Sequence, residues 1–278
     1  ISKLINDLGS TFFLNLPDIG PKIEKVGGDA SARRYYRIKA EERSYILCKD
    51  ETLSGPENNN LFRNVQKVLK SYDIPVPELY DTNLDSSMVL EQDLGDDTLL
   101  KMLSSYHDSK KELEIYKSIL KIMIKIHTID SSNHRKENFT KISFDQDKFM
   151  EEINFTIKHF YEGFLGSNLR SEALGYFKEI SSFLSEEKMV LTHRDFHSRN
   201  IMCFQGKFYI IDFQDIRMGL PQYDLVSILE DCYYKISEQN LEKLKTYYFK
   251  NFIELYTNQT KEKFHKLYDF MTIQRTFK

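Results

Sequence analysis

Between two long stretches of helical periodicity, this chain carries one short strand–turn–strand whose ends hold acid–base and oxygen-donor side chains. Ile201-Met202-Cys203-Phe204 and Lys207-Phe208-Tyr209-Ile210 are apolar and β-forming, and Gln205-Gly206 between them is a two-residue turn signal, so the segment predicts a β-hairpin. Pairing outward from the turn sets Phe204 against Lys207, Met202 against Tyr209 and Asn200 against Ile211, which brings Asn200 and Asp212 together at the open end. An amide oxygen and a carboxylate are both hard donors of the kind Mg²⁺ prefers. Asp195 precedes Asn200 on the loop entering the same end, as a second carboxylate that can accept a proton.

That set suits phosphoryl transfer, in which metal neutralises phosphate charge and one carboxylate orients and deprotonates the acceptor hydroxyl. The reading makes Asp195 the catalytic base and Asn200 and Asp212 the magnesium ligands. An ordinary surface hairpin with polar ends does not account for the full run His193-Arg194-Asp195-Phe196-His197-Ser198-Arg199-Asn200 followed by Ile211-Asp212-Phe213. His193 is expected to pack and hold the loop, whereas His197 and Arg199 can touch substrate or phosphate, or simply be solvated. Asp224 opens an apolar helix after Gly219-Leu220-Pro221-Gln222-Tyr223, as its N-cap or as a brace for the catalytic loop.

Upstream, Tyr35-Tyr36-Arg37-Ile38 and Tyr45-Ile46-Leu47-Cys48 predict two strands. The small-residue loop before them, Gly28, Asp29, Ala30 and Ser31, can turn backbone N–H groups toward phosphate, and the adjacent Arg33-Arg34 pair is a candidate anion contact. Lys49 ends the second strand on the face of Tyr45 and Leu47, from which it can reach nucleotide phosphates with Glu57 as ion-pair partner, or remain an exposed strand-end lysine. Leu61, Phe62, Val65, Val68, Leu69 and Tyr72 predict a helix that Pro75 and Pro77 close. Met88-Val89-Leu90-Glu91 predicts a further strand, with the backbone from Glu91 to Asp93 placed to bind an adenine. Beyond it helices dominate, near residues 113–127, 147–160, 171–185, 224–235, 240–256 and 260–275, with Met189–Thr192 strand-like among them. The expected architecture is α+β, a small β-rich N-terminal nucleotide-binding lobe over residues 1–93 and a larger, mainly helical catalytic and substrate-binding lobe over 94–278.

Composition narrows the alternatives. A net charge of −3 supplies no global field for nucleic acid or an anionic membrane. The three cysteines form no CxxC pair, which removes zinc and redox motifs and suits a reducing cytoplasm. No apolar run approaches a membrane span and no signal peptide is visible. The absence of a GxxxxGK[ST] motif argues against a P-loop enzyme.

These residues resemble the aminoglycoside phosphotransferase / choline kinase group, and within it the bacterial cell-wall sugar kinases that phosphorylate the anomeric hydroxyl of N-acetylmuramate and N-acetylglucosamine. Three stretches carry the closer resemblance: Gly28 to Arg37; His193 to Met202; and Asp212-Phe213-Gln214-Asp215 with Gly219 to Ser227. Gln274-Arg275-Thr276-Phe277-Lys278 is similar to a further family segment, beyond which relatives usually continue, so the resemblance implies a chain cut short at its C-terminus. It also implies a protein-kinase-like two-lobed fold, ATP and Mg²⁺ as cofactors, Ser31 and its loop over the phosphates, and Gln214 and Asp215 near the substrate. A small-molecule sugar is the implied partner, and a monomer is compatible with it. An aminoglycoside or other amino alcohol as acceptor, or an inactive nucleotide-binding scaffold, are the alternatives.

Overall fold

The computed structural model describes residues 22–26, 33–40, 43–50, 56–83, 88–105 and 108–278. The loop residues Gly28, Asp29, Ala30 and Ser31 lie outside them, and so does the side chain of Glu57. The chain divides into two compact units, Ile1–Asp97 with Met202–Gln214, and Thr98–Ile201 with Asp215–Lys278.

The first unit is built on a five-stranded antiparallel sheet of order β1-β2-β3-β5-β4, with β1 Lys22–Val26, β2 Arg34–Ala40, β3 Arg43–Lys49, β4 Leu79–Asn83 and β5 Met88–Gln92. Its register sets Tyr36 against Leu47, Ile38 against Tyr45 and Leu47 against Leu90. Because side chains alternate across a strand, these residues share one face. There Ile38, Leu47, Met88 and Leu90 form a buried cluster with Ile23, Tyr36 and Tyr45 packed on it. The other face carries Tyr35 opposite Cys48 and Ile46 opposite Glu91. Helix α1, Pro56–Ser71, buries Phe62, Val65 and Leu69, as its periodicity requires.

Strands β7, Ile201–Phe204, and β8, Lys207–Ile210, form the expected hairpin. Gln205 and Gly206 both take positive φ, 49° and 74°, the geometry of a type I′ turn. An expected cut at residue 93 leaves 94–278 as one continuous lobe, but the packing counts residues 202–214 with the first unit. Cys203 N–H donates to the Asp97 carbonyl at 2.7 Å, Ile210 N–H donates to the Pro75 carbonyl at 2.8 Å, and the Phe213 ring lies 4.9 Å from that of Phe62.

The second unit is mainly helical: α2 Leu99–Ser104, α3 Ser109–His127, α4 Gln146–Thr156, α5 Ser171–Ser185, α6 Pro221–Leu229, α7 Glu238–Tyr248 and α8 Lys261–Phe277. Side-chain caps fix several starts, with Asp108 accepting from Lys110 N–H, Asp145 from Lys148 N–H and Thr260 from Lys263 N–H. Every residue of α6 is buried, which makes it the axis of this unit. It starts earlier than its apolar pattern suggests because Pro221 opens it, and it stops at Leu229 rather than near 235. The stop is local chemistry: the Asp231 carboxylate accepts from Tyr233 N–H at 2.9 Å and from Ser198 N–H at 2.8 Å, an Asx-type turn that competes with helix. A two-stranded ladder of β6, Val190–Thr192, and β9, Arg217–Gly219, lies among the helices. Among the described residues no helix is long and apolar enough to cross a membrane. The antiparallel sheet followed by a mostly helical remainder agrees with the α+β, protein-kinase-like expectation.

Candidate active site

The loop after β6 is shaped by one buried carboxylate. Asp224, on the first turn of α6, is fully buried and accepts hydrogen bonds from the backbone N–H groups of His193, at 2.7 Å, and Arg194, at 2.8 Å. Arg194 takes φ 82°, a left-handed conformation that a non-glycine residue keeps only when its surroundings hold it. Asp224 is held in turn by His127 of α3, whose Nε2 lies 3.1 Å away while its Nδ1 meets the Tyr248 hydroxyl of α7. Asp224 therefore braces the loop, one of the two roles its sequence position allowed. Its tie to His127 and Tyr248 escapes a sequence reading because these residues are remote along the chain.

Within that loop His193 is buried, with its ring edge-on to Phe196 at 5.6 Å, so it packs as expected. Asn200 donates its amide to the Asp195 carbonyl at 3.0 Å and lies 3.4 Å from His197 Nε2. This turns the Asn200 amide oxygen away from that carbonyl. The His197 ring and the Arg199 guanidinium both pack on Tyr233, at 5.5 Å and 4.9 Å. Burial pushes the Asp195 carboxyl up, but Arg194, Lys278 and Arg275 together outweigh it and hold the group below the usual carboxylate range.

These cations form a cluster that sequence reading did not assemble. The Arg275 guanidinium lies 4.4 Å over the Tyr223 ring and donates to its hydroxyl at 2.6 Å. Tyr223 stacks on Phe144 at 4.4 Å, and Arg217 lies 5.3 Å over the other ring of that pair. Burial first, then the like charge of Arg194, pull Arg217 below its ordinary value. Lys278 pairs with the buried Glu152 at 2.7 Å, and Arg194 approaches Asp215 at 3.9 Å.

In the first unit Asp212 takes φ 62° just beyond β8 and accepts from Gln214 Nε2 at 2.8 Å and from Arg33 Nη1. Gln214, expected near substrate, thus steadies the Asp212 carboxylate. Glu91 sits on the same polar side, where burial first and the Asp212 charge second push its carboxyl up to about 7. The Asp93 carboxylate is engaged by Arg37 at 2.7 and 3.0 Å and by Gly95 N–H at 2.9 Å, so it clamps the sheet end.

Among the described residues no group of three or more His, Cys, Asp or Glu is placed to hold a metal ion. The Asp212 carboxylate and the Asn200 amide oxygen are each a hard oxygen donor of the kind magnesium takes.

The family model described as "Phosphotransferase enzyme family" matches residues 22–257. The chain is 26% identical over 262 residues to the N-acetylmuramate/N-acetylglucosamine kinase of Neisseria meningitidis serogroup B, covering 91% of this chain and 75% of that one. It is 25% identical over 259 residues to the protein of the same name from Pseudomonas aeruginosa, covering 91% and 73%. Among solved structures it is similar to choline kinase LicA from Streptococcus pneumoniae, with TM-score 0.64 and 17% identity over 99% of this chain and 89% of that one. The macrolide 2'-phosphotransferase MphH from Brachybacterium faecium gives TM-score 0.69 at 12% identity, over 99% and 90%. These structural likenesses establish the kinase-like fold. With the family model spanning both the antiparallel sheet and most of the helical unit, the chain belongs to the phosphotransferase enzyme family.

Proposed function

We propose that the protein is an ATP-dependent kinase of a sugar hydroxyl, most specifically the anomeric hydroxyl of N-acetylmuramate or N-acetylglucosamine, acting in the cytoplasm in cell-wall recycling. The observation that carries this reading is the Asp195 carboxylate, kept ionised by Arg194, Lys278 and Arg275 on a loop braced by Asp224. An ionised, oriented carboxylate is what an acceptor hydroxyl needs. In the proposed step the acceptor oxygen, losing its proton to Asp195, bonds to the γ-phosphorus as the bond to the β-phosphate oxygen breaks. Asn200 and Asp212 would hold magnesium, which when bound neutralises phosphate charge. The backbone from Glu91 to Asp93 would receive the adenine, and the loop from Gly28 to Ser31 would cover the phosphates.

The cations around Asp195 also bear on the acceptor. Arg194, Arg275 and Lys278 favour a neutral sugar or one carrying a carboxylate, as N-acetylmuramate does, and oppose a polycationic aminoglycoside. The test is ATP consumption with an acceptor panel, with the new phosphate located by NMR. N-acetylmuramate or N-acetylglucosamine should yield a 1-phosphate that is acid-labile and alkali-resistant. No turnover with either sugar, or phosphorylation of aminoglycosides instead, sinks the substrate assignment.

A further inference from the structure

Lys49 is the residue that strand periodicity offers as the phosphate-binding cation, and the sheet register argues otherwise. Tyr36 pairs with Leu47 and Lys49 with Met88, so Lys49 lies on the face that carries the apolar cluster of Ile38, Leu47, Met88 and Leu90. The opposite face holds the Tyr35–Cys48 pair and Glu91. Arg33 and Asp50 each lie one residue beyond the Arg34–Lys49 pair, so the alternation of side chains returns them to that opposite face.

There the two meet. Arg33 Nε donates to Asp50 Oδ2 at 2.8 Å, and Arg33 Nη1 donates to Asp212, itself steadied by Gln214. The Asp50 side chain is 1% exposed, and a carboxylate buried that deeply requires a positive partner, which fixes where the guanidinium sits. A planar guanidinium with five donors in a fixed fork is suited to a carboxylate and a phosphate at once, as a lysine point charge is not.

We propose that Arg33, positioned by the buried Asp50, is the cation that receives the nucleotide phosphates beside Asp212, in place of Lys49. The assignment rests on the ATP-dependent reading and names a residue for it. Asp50 is a positioning residue that acts through Arg33.

The test is the binding of a fluorescent ATP analogue with Mg²⁺, with adenosine as a phosphate-free competitor. Arg33→Ala should weaken Mg-nucleotide binding by about tenfold or more while adenosine affinity changes by less than about twofold, since only the phosphates lose a charged donor. Arg33→Lys should recover part of the loss, Asp50→Asn should weaken Mg-nucleotide binding in the same selective way, and Lys49→Ala should stay within about twofold of the wild type. Arg33→Gln, which keeps a donor for Asp50 and removes the charge, decides the matter if Arg33→Ala does not fold. The assignment is overturned if the Arg33 variants bind Mg-nucleotide like the wild type, if they lose nucleotide and adenosine in equal proportion, or if Lys49→Ala shows the selective loss. A wild-type protein that binds adenosine but gains nothing from the phosphates overturns the Arg33 assignment alone. One that binds neither nucleotide nor adenosine overturns the ATP-dependent reading and this assignment with it.

Discussion

Asp195 is caught between two opposing effects, and their balance decides what it can do. Burial favours the neutral acid, while Arg194, Lys278 and Arg275 favour the carboxylate and win. The sign is that of a depressed acid: the carboxylate persists to lower pH than usual, and the stability it contributes is lost only as pH falls through its folded value. Replacing Arg275 by Met removes one of the winning charges, so the acid limb of the kcat/KM profile should move to higher pH, and Arg275→Lys should leave it near the wild-type position. An unmoved limb in Arg275→Met would mean that this cation does not set the ionisation of Asp195. Asp195→Asn should cut kcat by roughly 10²- to 10⁴-fold with nucleotide affinity unchanged, the scale of a lost general base. Asp195 and Asn200 were legible in the sequence because they are close along one loop. Two of the charges that tune Asp195 were not, since Arg275 and Lys278 lie at the end of a helix far along the chain.

The elements show where local pattern is enough. The hairpin formed by β7 and β8 was readable because a Gln-Gly turn between two apolar runs is a short-range signal. Its neighbour β9 was missed: Arg217–Gly219 is too short for periodicity and exists because it pairs with β6. Gly219 shows how close that pairing is, since an added Cβ would lie 2.8 Å from Thr192 Oγ1 and 3.0 Å from Phe144 Cδ2. Thr192 is fully buried and donates to the Arg217 carbonyl at 2.9 Å, so it has little freedom to yield. Gly219→Ala should therefore destabilise by about 1–3 kcal/mol through overpacking. Thermal unfolding checks this, and an unchanged melting temperature would show that the ladder relaxes. Lys49 illustrates the opposite case, in which correct strand periodicity chose a face but could not say which face is polar.

Across the whole molecule, Asp224 does for the helical unit what no local signal announces. It joins α6 to the loop of His193 and Arg194 and, through His127 and Tyr248, to α3 and α7. Asp224→Ala would leave the His193 and Arg194 N–H groups without their acceptor and the buried His127 ring without its partner, a loss of about 3–5 kcal/mol. That corresponds to a fall in melting temperature of roughly 10 °C. A fall of only a degree or two would mean that water or a rearranged loop satisfies those donors. The sequence by itself determined the hairpin, the longer helices, the strands of the first unit that carry clear periodicity, and the spacing of Asp195, Asn200 and Asp212, because turn propensity and periodicity act over a few residues. Only the tertiary structure decided that Arg33 and Asp50 share the polar face with Asp212, that Asp224 anchors the loop, and that Arg275 and Lys278 join Arg194 around Asp195. Those pairings depend on strand register and helix packing, which bring together residues whose separation along the chain carries no local signal.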